Sequence, residues 1–429
     1  MTLATPLVGK YEDDAVRPRV GILIGSLEAG GAQRMALALA HDLLGDNWEV
    51  RLLLLNPECE MALPGDAEMQ EALQRRLTVL GGSSVRASTF SKCVHFPWLH
   101  RRLASAIADH RLDVVVSFME RANLLNLLGS RSVPRIISVR EQISVALAEK
   151  TAFKRALILL AYPLLFRRAS EIVLNAHGSA AEFARRFRLP TDRLNVIPNT
   201  VAPQVAQLAQ KAVIGPEANA LGPQTVLAAG RLVHAKAHAP LLRAFKRALV
   251  DCPDARLVIV GNGPLSDELG ALADALGISD AVCFTGFQRN PYPWIAGAGV
   301  FALPSRGEGL PNALLEAMAL GRACVAADCS SGPRELLAPD TSIGRVTDRL
   351  EITDAGLLVP PMPPEDLDAE VPLTVAEHVL ADALTLLLRD QDLRQRLGRG
   401  ARNRAAWFTP ERAFGAWKTV IAESLCVED

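Results

Sequence analysis

The chain has 429 residues, too many for one compact core and suited to two domains of roughly 150–200 residues each. Hydrophobic residues make up 49% and charged residues 22%, which excludes a disordered or low-complexity chain. The formal net charge of -1 argues against a dedicated nucleic-acid binder, because phosphate neutralisation needs a clear excess of Lys and Arg, and no nucleic acid is expected as a partner.

That balance hides an asymmetry. Residues 71–200 hold 20 Lys and Arg against 9 Asp and Glu, whereas residues 1–70 and the stretch after 200 are each acidic by 6. The 7 cysteines are scattered without a CxxC pair, mostly in apolar surroundings, and read as small buried hydrophobes in a reducing compartment. Lys10 is followed by Glu12, Asp13 and Asp14 with no apolar run, so no secretory signal is expected. The longest uncharged apolar stretch, Ala156 to Phe166, is about half of what a spanning helix needs. The expected location is the cytoplasm.

Short β-branched runs alternate with longer helical patterns. Val20–Ile24 reads as a strand, Ser26–Gly31 as a loop, and Ala32–Leu44 as a helix with Met35, Leu39 and Leu43 on one face. Further strands are predicted at Val50–Leu55, Asp113–Ser117, Arg135–Val139, Glu171–Leu174 and Asn195–Ile197. Continuous apolar runs suit parallel strands covered on both faces. Pro203 opens a polar stretch ending at Pro223, read as an interdomain linker over 204–223. The pattern restarts with strands at Thr225–Ala229, Ala255–Val260, Val282–Thr285, Val300–Ala302 and Ala323–Ala326. Helices are predicted over Pro240–Val250, Ser266–Leu276, Pro311–Leu320 and, in spacing, from Ala376 to Leu425. The expectation is an α/β chain with two Rossmann-like, doubly wound domains, 1–203 and 224–390, facing each other across a cleft. Helices over 391–429 are expected to pack back toward the first domain.

Gly25-Ser-Leu-Glu-Ala-Gly30-Gly31 joins a strand to a helix, where backbone amides and the helix dipole favour an anion. An ordinary tight turn would look the same, and the spacing is not that of a nicotinamide site. Val260-Gly-Asn-Gly-Pro264 repeats the geometry and reads as a tight turn. Arg231 and Lys236 follow the strand Thr225–Ala229; two cations there can neutralise a diphosphate or form a solvated surface pair. Glu308 precedes the helix that Pro311 opens. Glu316 lies inside that helix among Leu314, Leu315, Met318 and Leu320, so it should be buried and needs a partner: ligand hydroxyls, a structural Arg or a backbone amide. Gly297, Gly299, Gly307, Gly309 and Gly321 around it suggest close backbone approach.

Together these residues carry a resemblance. Glu308-x7-Glu316, Gly230-Arg231-Leu232 with Lys236, and Gly30-Gly31-Ala32-Gln33-Arg34 resemble the motifs of retaining family 4 glycosyltransferases of GT-B architecture. Val196-Ile-Pro-Asn199-Thr200, Val260–Pro264 and Ser331-Gly-Pro-Arg-Glu335 are similar to further blocks of that family, in the same order. The resemblance implies an acceptor-binding first domain and a second domain that binds a nucleotide sugar. Arg231 and Lys236 would grip the donor diphosphate, with Gly30 and Gly31 approaching from the first domain. Glu308 and the backbone of Gly309, Leu310 and Pro311 would hold the transferred sugar, Asn199 and Asn312 would complete the donor site, and Glu316 would bind the ribose hydroxyls. Glu308, Arg231 and Lys236 are the candidate catalytic residues. Transfer with retention, without metal or other cofactor, fits the lack of a DxD-like pair or His/Asp metal spacing.

The blocks from Glu308 to Glu316 and from Ser331 to Glu335 are similar to bacterial glycan-assembly transferases acting on N-acetylhexosamines, which points to a UDP-hexose or UDP-N-acetylhexosamine donor, with GDP-mannose as the alternative. The expected acceptor is a glycan or lipid-linked glycan. A sugar-nucleotide epimerase of the same fold and a non-catalytic nucleotide-sugar-binding subunit are the competing functions. The sequence departs from the family in two places. Ala237 stands where Gly is usual after the lysine, and the strand Arg135–Val139 ends in Arg140-Glu141 where many members have a histidine, leaving His100 and His177 as stand-ins. Finally, Lys150, Lys154, Arg155, Arg167 and Arg168 flank Ala156–Phe166, and Phe96-Pro-Trp98-Leu-His-Arg101-Arg102 again sets aromatics beside cations. Such flanking suits either a surface resting on anionic lipid at the inner membrane face or a core helix with solvated ends.

Overall fold

The computed structural model describes residues 17–28, 30–59, 63–81, 89–129, 132–148, 150–213, 215–364 and 366–426. Seven strands form a first, wholly parallel sheet: β1 (Arg19–Ile24), β2 (Glu49–Leu54), β3 (Leu77–Val79), β4 (Val114–Phe118), β5 (Arg135–Val139), β6 (Glu171–Leu174) and β7 (Leu194–Val196). Their order is β3-β2-β1-β4-β5-β6-β7. The second sheet takes β8 (Thr225–Ala229), β9 (Arg256–Val260), β10 (Val282–Gly286), β11 (Val300–Leu303), β12 (Ala323–Ala327), β13 (Glu351–Ile352) and β14 (Leu357–Val359), in the order β10-β9-β8-β11-β12-β14-β13. Among the described strands only the β13–β14 pair runs antiparallel. Chain order reverses beside β1 in one sheet and beside β8 in the other, the crevice where doubly wound sheets bind ligands.

The central strands are apolar on both faces because both are covered. Ile22 lies between Leu52 and Val116 and is fully buried. The predicted strands recur within a residue or two at their ends. β3, β13 and β14 have two or three residues each, too short to leave a period in the sequence. Within 204–223, the stretch expected to be a linker, lies a short helix, Val205–Leu208, whose Val205 is buried in one apolar cluster with Trp294 and Leu314. Asn290 Nδ2 fixes it by donating to the Leu208 carbonyl at 2.9 Å.

The C-terminal helices divide between the two layers. Gln391–Ala405 stays with the second sheet, so closely that a Cβ on Gly398 would lie 2.4 Å from the Gly321 carbonyl oxygen. Pro410–Cys426 crosses to the first sheet, where Trp417 is fully buried with its ring 5.6 Å from Phe118. Lys418 Nζ anchors it to Asp42 at 2.6 Å and Asp46 at 2.5 Å. The two crossings of the chain run side by side, joined by Val201 N donating to the Phe408 carbonyl at 3.0 Å.

The helix Ala152–Phe166 satisfies neither sequence reading alone. Its inner face, Tyr162 and Phe166, packs on Phe183 and Phe187 in an aromatic cluster with centroids 4.8–6.2 Å apart. Its outer face is also apolar and stands in solvent, with Phe153, Leu157, Leu160 and Leu164 at 79%, 55%, 76% and 63% exposure. Their spacing of four, three and four residues places them on one stripe. Elsewhere Trp98 is 44% exposed beneath the Arg102 guanidinium. Among the described residues no helix is long and apolar enough to cross a membrane.

Candidate functional site

A cavity of about 480 Å³ opens between the carboxyl ends of the two sheets. From the first sheet it is lined by Gly30 and Gly31 after β1, Met119 after β4, Arg140 and Glu141 after β5, Asn175 after β6 and Asn199 after β7. From the second come Gly230, Arg231 and Lys236 after β8, and Glu308 through Ala313 after β11. Every residue expected at the donor site lines this cavity except Glu316, which lies one helical turn behind Asn312 and is buried.

Lys236 Nζ lies 2.5 Å from Glu308 Oε1, joining residues far apart in sequence. The pair is largely shielded, with 28% and 11% of the side chains exposed. Arg231 stands exposed at the rim. The loop that carries it rests on the Val260–Pro264 turn: Leu232 N donates to the Asn262 carbonyl at 3.0 Å, and a Cβ on Gly261 would fall 1.9 Å from the Gly230 oxygen. This turn therefore supports the Arg231 loop by backbone contact. Ala237 holds a left-handed conformation, φ 51° and ψ 46°, which explains why glycine suits the position, and its methyl is fully buried.

Behind this pair sits His238, 2% exposed at the start of the helix His238–Leu249. Burial, reinforced by Lys236, pushes its imidazole down to about 4, so it is neutral at physiological pH.

Glu316 has found the structural arginine that its burial requires. Arg34 of the first domain's helix Gly31–Gly45 donates to its Oε1 at 2.9 Å, and the Tyr292 hydroxyl donates to the same oxygen at 3.3 Å. Burial still holds the carboxyl above its ordinary range, with Arg34 and Tyr292 opposing the shift. Tyr292 is raised in turn, by burial and by the Glu316 charge.

The loop Gly307–Leu310 is pressed against the first domain. A Cβ on Gly309 would lie 2.6 Å from the Arg140 carbonyl oxygen and equally close to Asn175, and Asn199 Nδ2 donates to the Leu310 carbonyl at 2.7 Å. Gly31 likewise faces Asn312. Glu335 reaches across to cap the first-domain helix His177–Phe187, accepting from His177 N at 2.7 Å and Gly178 N at 2.8 Å. Its neighbour Arg334 instead forms a buried network with Asp328 and Glu351.

Arg140 turns its guanidinium away from the loop Gly307–Leu310. It donates to the Ile197 carbonyl at 3.1 Å, lies over the rings of Phe118 and Trp417, and burial lowers it to about 9. Neither histidine stand-in lines the cavity: His177 is taken up at its helix N-terminus by Glu335, and His100 lies on the helix Thr89–Asp109. Sequence reasoning passed over Tyr292, His238, Asn175 and the specific pairing of Arg34. It also missed Met119, which holds a positive φ of 73° at the cavity wall. Arg34 alone carried a signal, being part of the Gly30-Gly31 block.

The comparisons accord with this geometry. The family model described as "Glycosyltransferase Family 4" matches residues 29–205, and "Glycosyl transferases group 1" matches 223–372. An uncharacterized glycosyltransferase of Methanocaldococcus jannaschii is 29% identical over 335 residues, covering 75% of this chain and 82% of that protein. The Campylobacter jejuni N-acetylgalactosamine-N,N'-diacetylbacillosaminyl-diphospho-undecaprenol 4-alpha-N-acetylgalactosaminyltransferase is 29% identical over 324 residues, 75% of this chain and 84% of that one. Among solved structures, Anabaena Alr3699/HepE in complex with UDP-glucose superposes with a TM-score of 0.71 at 17% identity, over 95% of this chain and 100% of that chain. WaaG, a glycosyltransferase of lipopolysaccharide biosynthesis, gives 0.66 at 16% identity, over 92% and 98%. The two sheets and the cleft between them define a GT-B fold. The chain belongs to the family 4-type glycosyltransferases and is an enzyme of that class.

Proposed function

We propose that the enzyme moves a hexosyl or N-acetylhexosaminyl group, with retention and without a metal, from a UDP-sugar to a glycan or lipid-linked glycan. The observation that carries this reading is the convergence of Arg231, Lys236 and Glu308 on one cavity, with Glu316 directly behind it. Lys236 and Arg231 stabilise the negative charge that grows on the departing diphosphate. The incoming phosphates draw Lys236 from Glu308, whose carboxylate then accepts hydrogen bonds from the sugar beside the Gly309 and Leu310 amides. The Glu316 carboxylate receives the ribose hydroxyls. Relatives whose names and titles record UDP-glucose and an N-acetylgalactosaminyl acceptor on diphospho-undecaprenol support the choice of donor and acceptor class. Incubation with a panel of UDP- and GDP-sugars, with product anomers read by NMR in the presence of EDTA, tests the reading. An inverted product, or activity that EDTA abolishes and manganese restores, overturns the mechanism, and a free isomerised sugar nucleotide indicates an epimerase.

The same enzyme rests on an anionic membrane face through the helix Ala152–Phe166. Four exposed apolar side chains on one stripe, with Lys154 and Arg155 at one end and Arg167 and Arg168 at the other, support this. Each cation near such a surface contributes about 1 kcal/mol. Co-sedimentation with phosphatidylglycerol vesicles against phosphatidylcholine vesicles at low salt is the test, and equal recovery on both overturns it.

A further inference from the structure

The cavity does not end at the donor residues. Past Arg140 and Glu141 its lining extends as an arm along the helix Ala152–Phe166, walled by Leu124, Val139, Ile143, Leu147 and Ile158. The polar groups on this side are already engaged with one another: the Tyr162 hydroxyl donates to Glu120 Oε1 at 2.7 Å, and Lys150 Nζ lies 3.7 Å from Glu120 Oε2. Among the described residues the arm's apolar wall offers no donors or acceptors to sugar hydroxyls, so a glycan chain entering it would lose its hydration without replacement. A hydrocarbon chain would lose only water.

We infer that this arm binds the hydrocarbon tail of a lipid-linked acceptor, threaded along the helix Ala152–Phe166 from the surface where Lys154 and Arg155 face anionic lipid. Three observations point the same way. The arm and the donor end are one cavity, so an occupant of the arm reaches the loop Glu308–Leu310. The helix that roofs the arm is apolar on its inner face and on its outer face, which suits an element with the tail on one side and lipid on the other. The cations lie at the N-terminal end of that helix, and Lys150 itself lines the cavity. The inference rests on the glycosyltransferase reading and narrows its acceptor from glycans in general to amphipathic ones.

The test is photo-crosslinking of the full chain with a benzophenone-tagged farnesyl phosphate, competed by geranylgeranyl phosphate or short-chain isopentenyl phosphate. Leu147→Trp and Ile143→Trp fill the arm, while Leu160→Lys alters only the outer stripe; circular dichroism checks each fold, and either filling variant suffices. Labelling mapped to peptides lining the arm is expected, competed by the long chain alone, reduced about tenfold or more by filling the arm, and retained in Leu160→Lys. Labelling that survives a folded filling variant, or that only Leu160→Lys removes, puts the tail on the outer surface and overturns the inference. UDP binding is measured on the same samples by calorimetry. Its absence, with the arm still labelled, refutes the donor reading and leaves the tail site standing.

Discussion

Arg34 and Glu316 meet at 2.9 Å across the cleft, one from the first helix of the first domain and the other from a buried helix of the second. Arg34 thereby opposes the burial that raises the Glu316 pKa. Arg34→Leu removes that support. The pKa of Glu316 then climbs further, and UDP binding should weaken as pH falls, more steeply than in the wild type. Isothermal titration at several pH values reads this out; parallel pH profiles in both proteins refute it.

Glu316 also bears on stability, with the opposite sign. A carboxyl whose folded pKa lies above its unfolded value destabilises the fold once pH exceeds the folded pKa, and does not below the unfolded one. Glu316→Gln should therefore raise the thermal midpoint at neutral pH while weakening UDP, since hydrogen bonds to a charged group are worth about 1.5–3 kcal/mol. A variant that loses both stability and affinity would assign Glu316 a structural role.

The Lys236–Glu308 pair separates two functions. Lys236→Met should cost about 2–4 kcal/mol of transition-state stabilisation, chiefly in kcat. Glu308→Ala should also cut turnover strongly but leave UDP affinity close to wild type, if it faces the sugar as proposed. Both losses should be unchanged after dialysis against EDTA. Single-turnover kinetics with calorimetry checks the split; near-native turnover in both variants removes these residues from the mechanism.

His238 predicts acid sensitivity. Its folded value of about 4 lies below that of an unfolded histidine, so the unfolded chain binds more protons between the two. Stability is full above about pH 6.5 and falls by about 3 kcal/mol as pH drops to 4. Urea unfolding at pH 7.5, 5.5 and 4.5 measures the slope, which His238→Leu should flatten.

Glu335 holds the domains together by capping His177–Phe187 from across the cleft. Glu335→Ala leaves the helix N-terminus without its anion and should raise the ligand-free radius of gyration in small-angle scattering, with UDP partly restoring it. An unchanged radius in the variant would mean that Arg34–Glu316 and Asn199–Leu310 suffice.

The alternation of continuous apolar runs with amphipathic stretches was enough to identify two parallel sheets, because a strand buried on both faces must be apolar along its whole length. Glycines, cations and carboxylates at strand ends pointed to the cavity between the two sheets for a related reason: those residue types are tied to the ends of β1, β8 and β11 by short local connections. That much is encoded locally and is legible without coordinates. Contacts between distant segments are not. Arg34 and Glu316 are separated by 282 positions, and Lys236 and Glu308 by 72. Whether Ala156–Phe166 was core or surface could not be read from an uninterrupted apolar run, since hydrophobicity all round a helix does not say which side is covered. The tertiary structure decided it, by setting Phe183 and Phe187 against one face and leaving Phe153, Leu157, Leu160 and Leu164 exposed on the other.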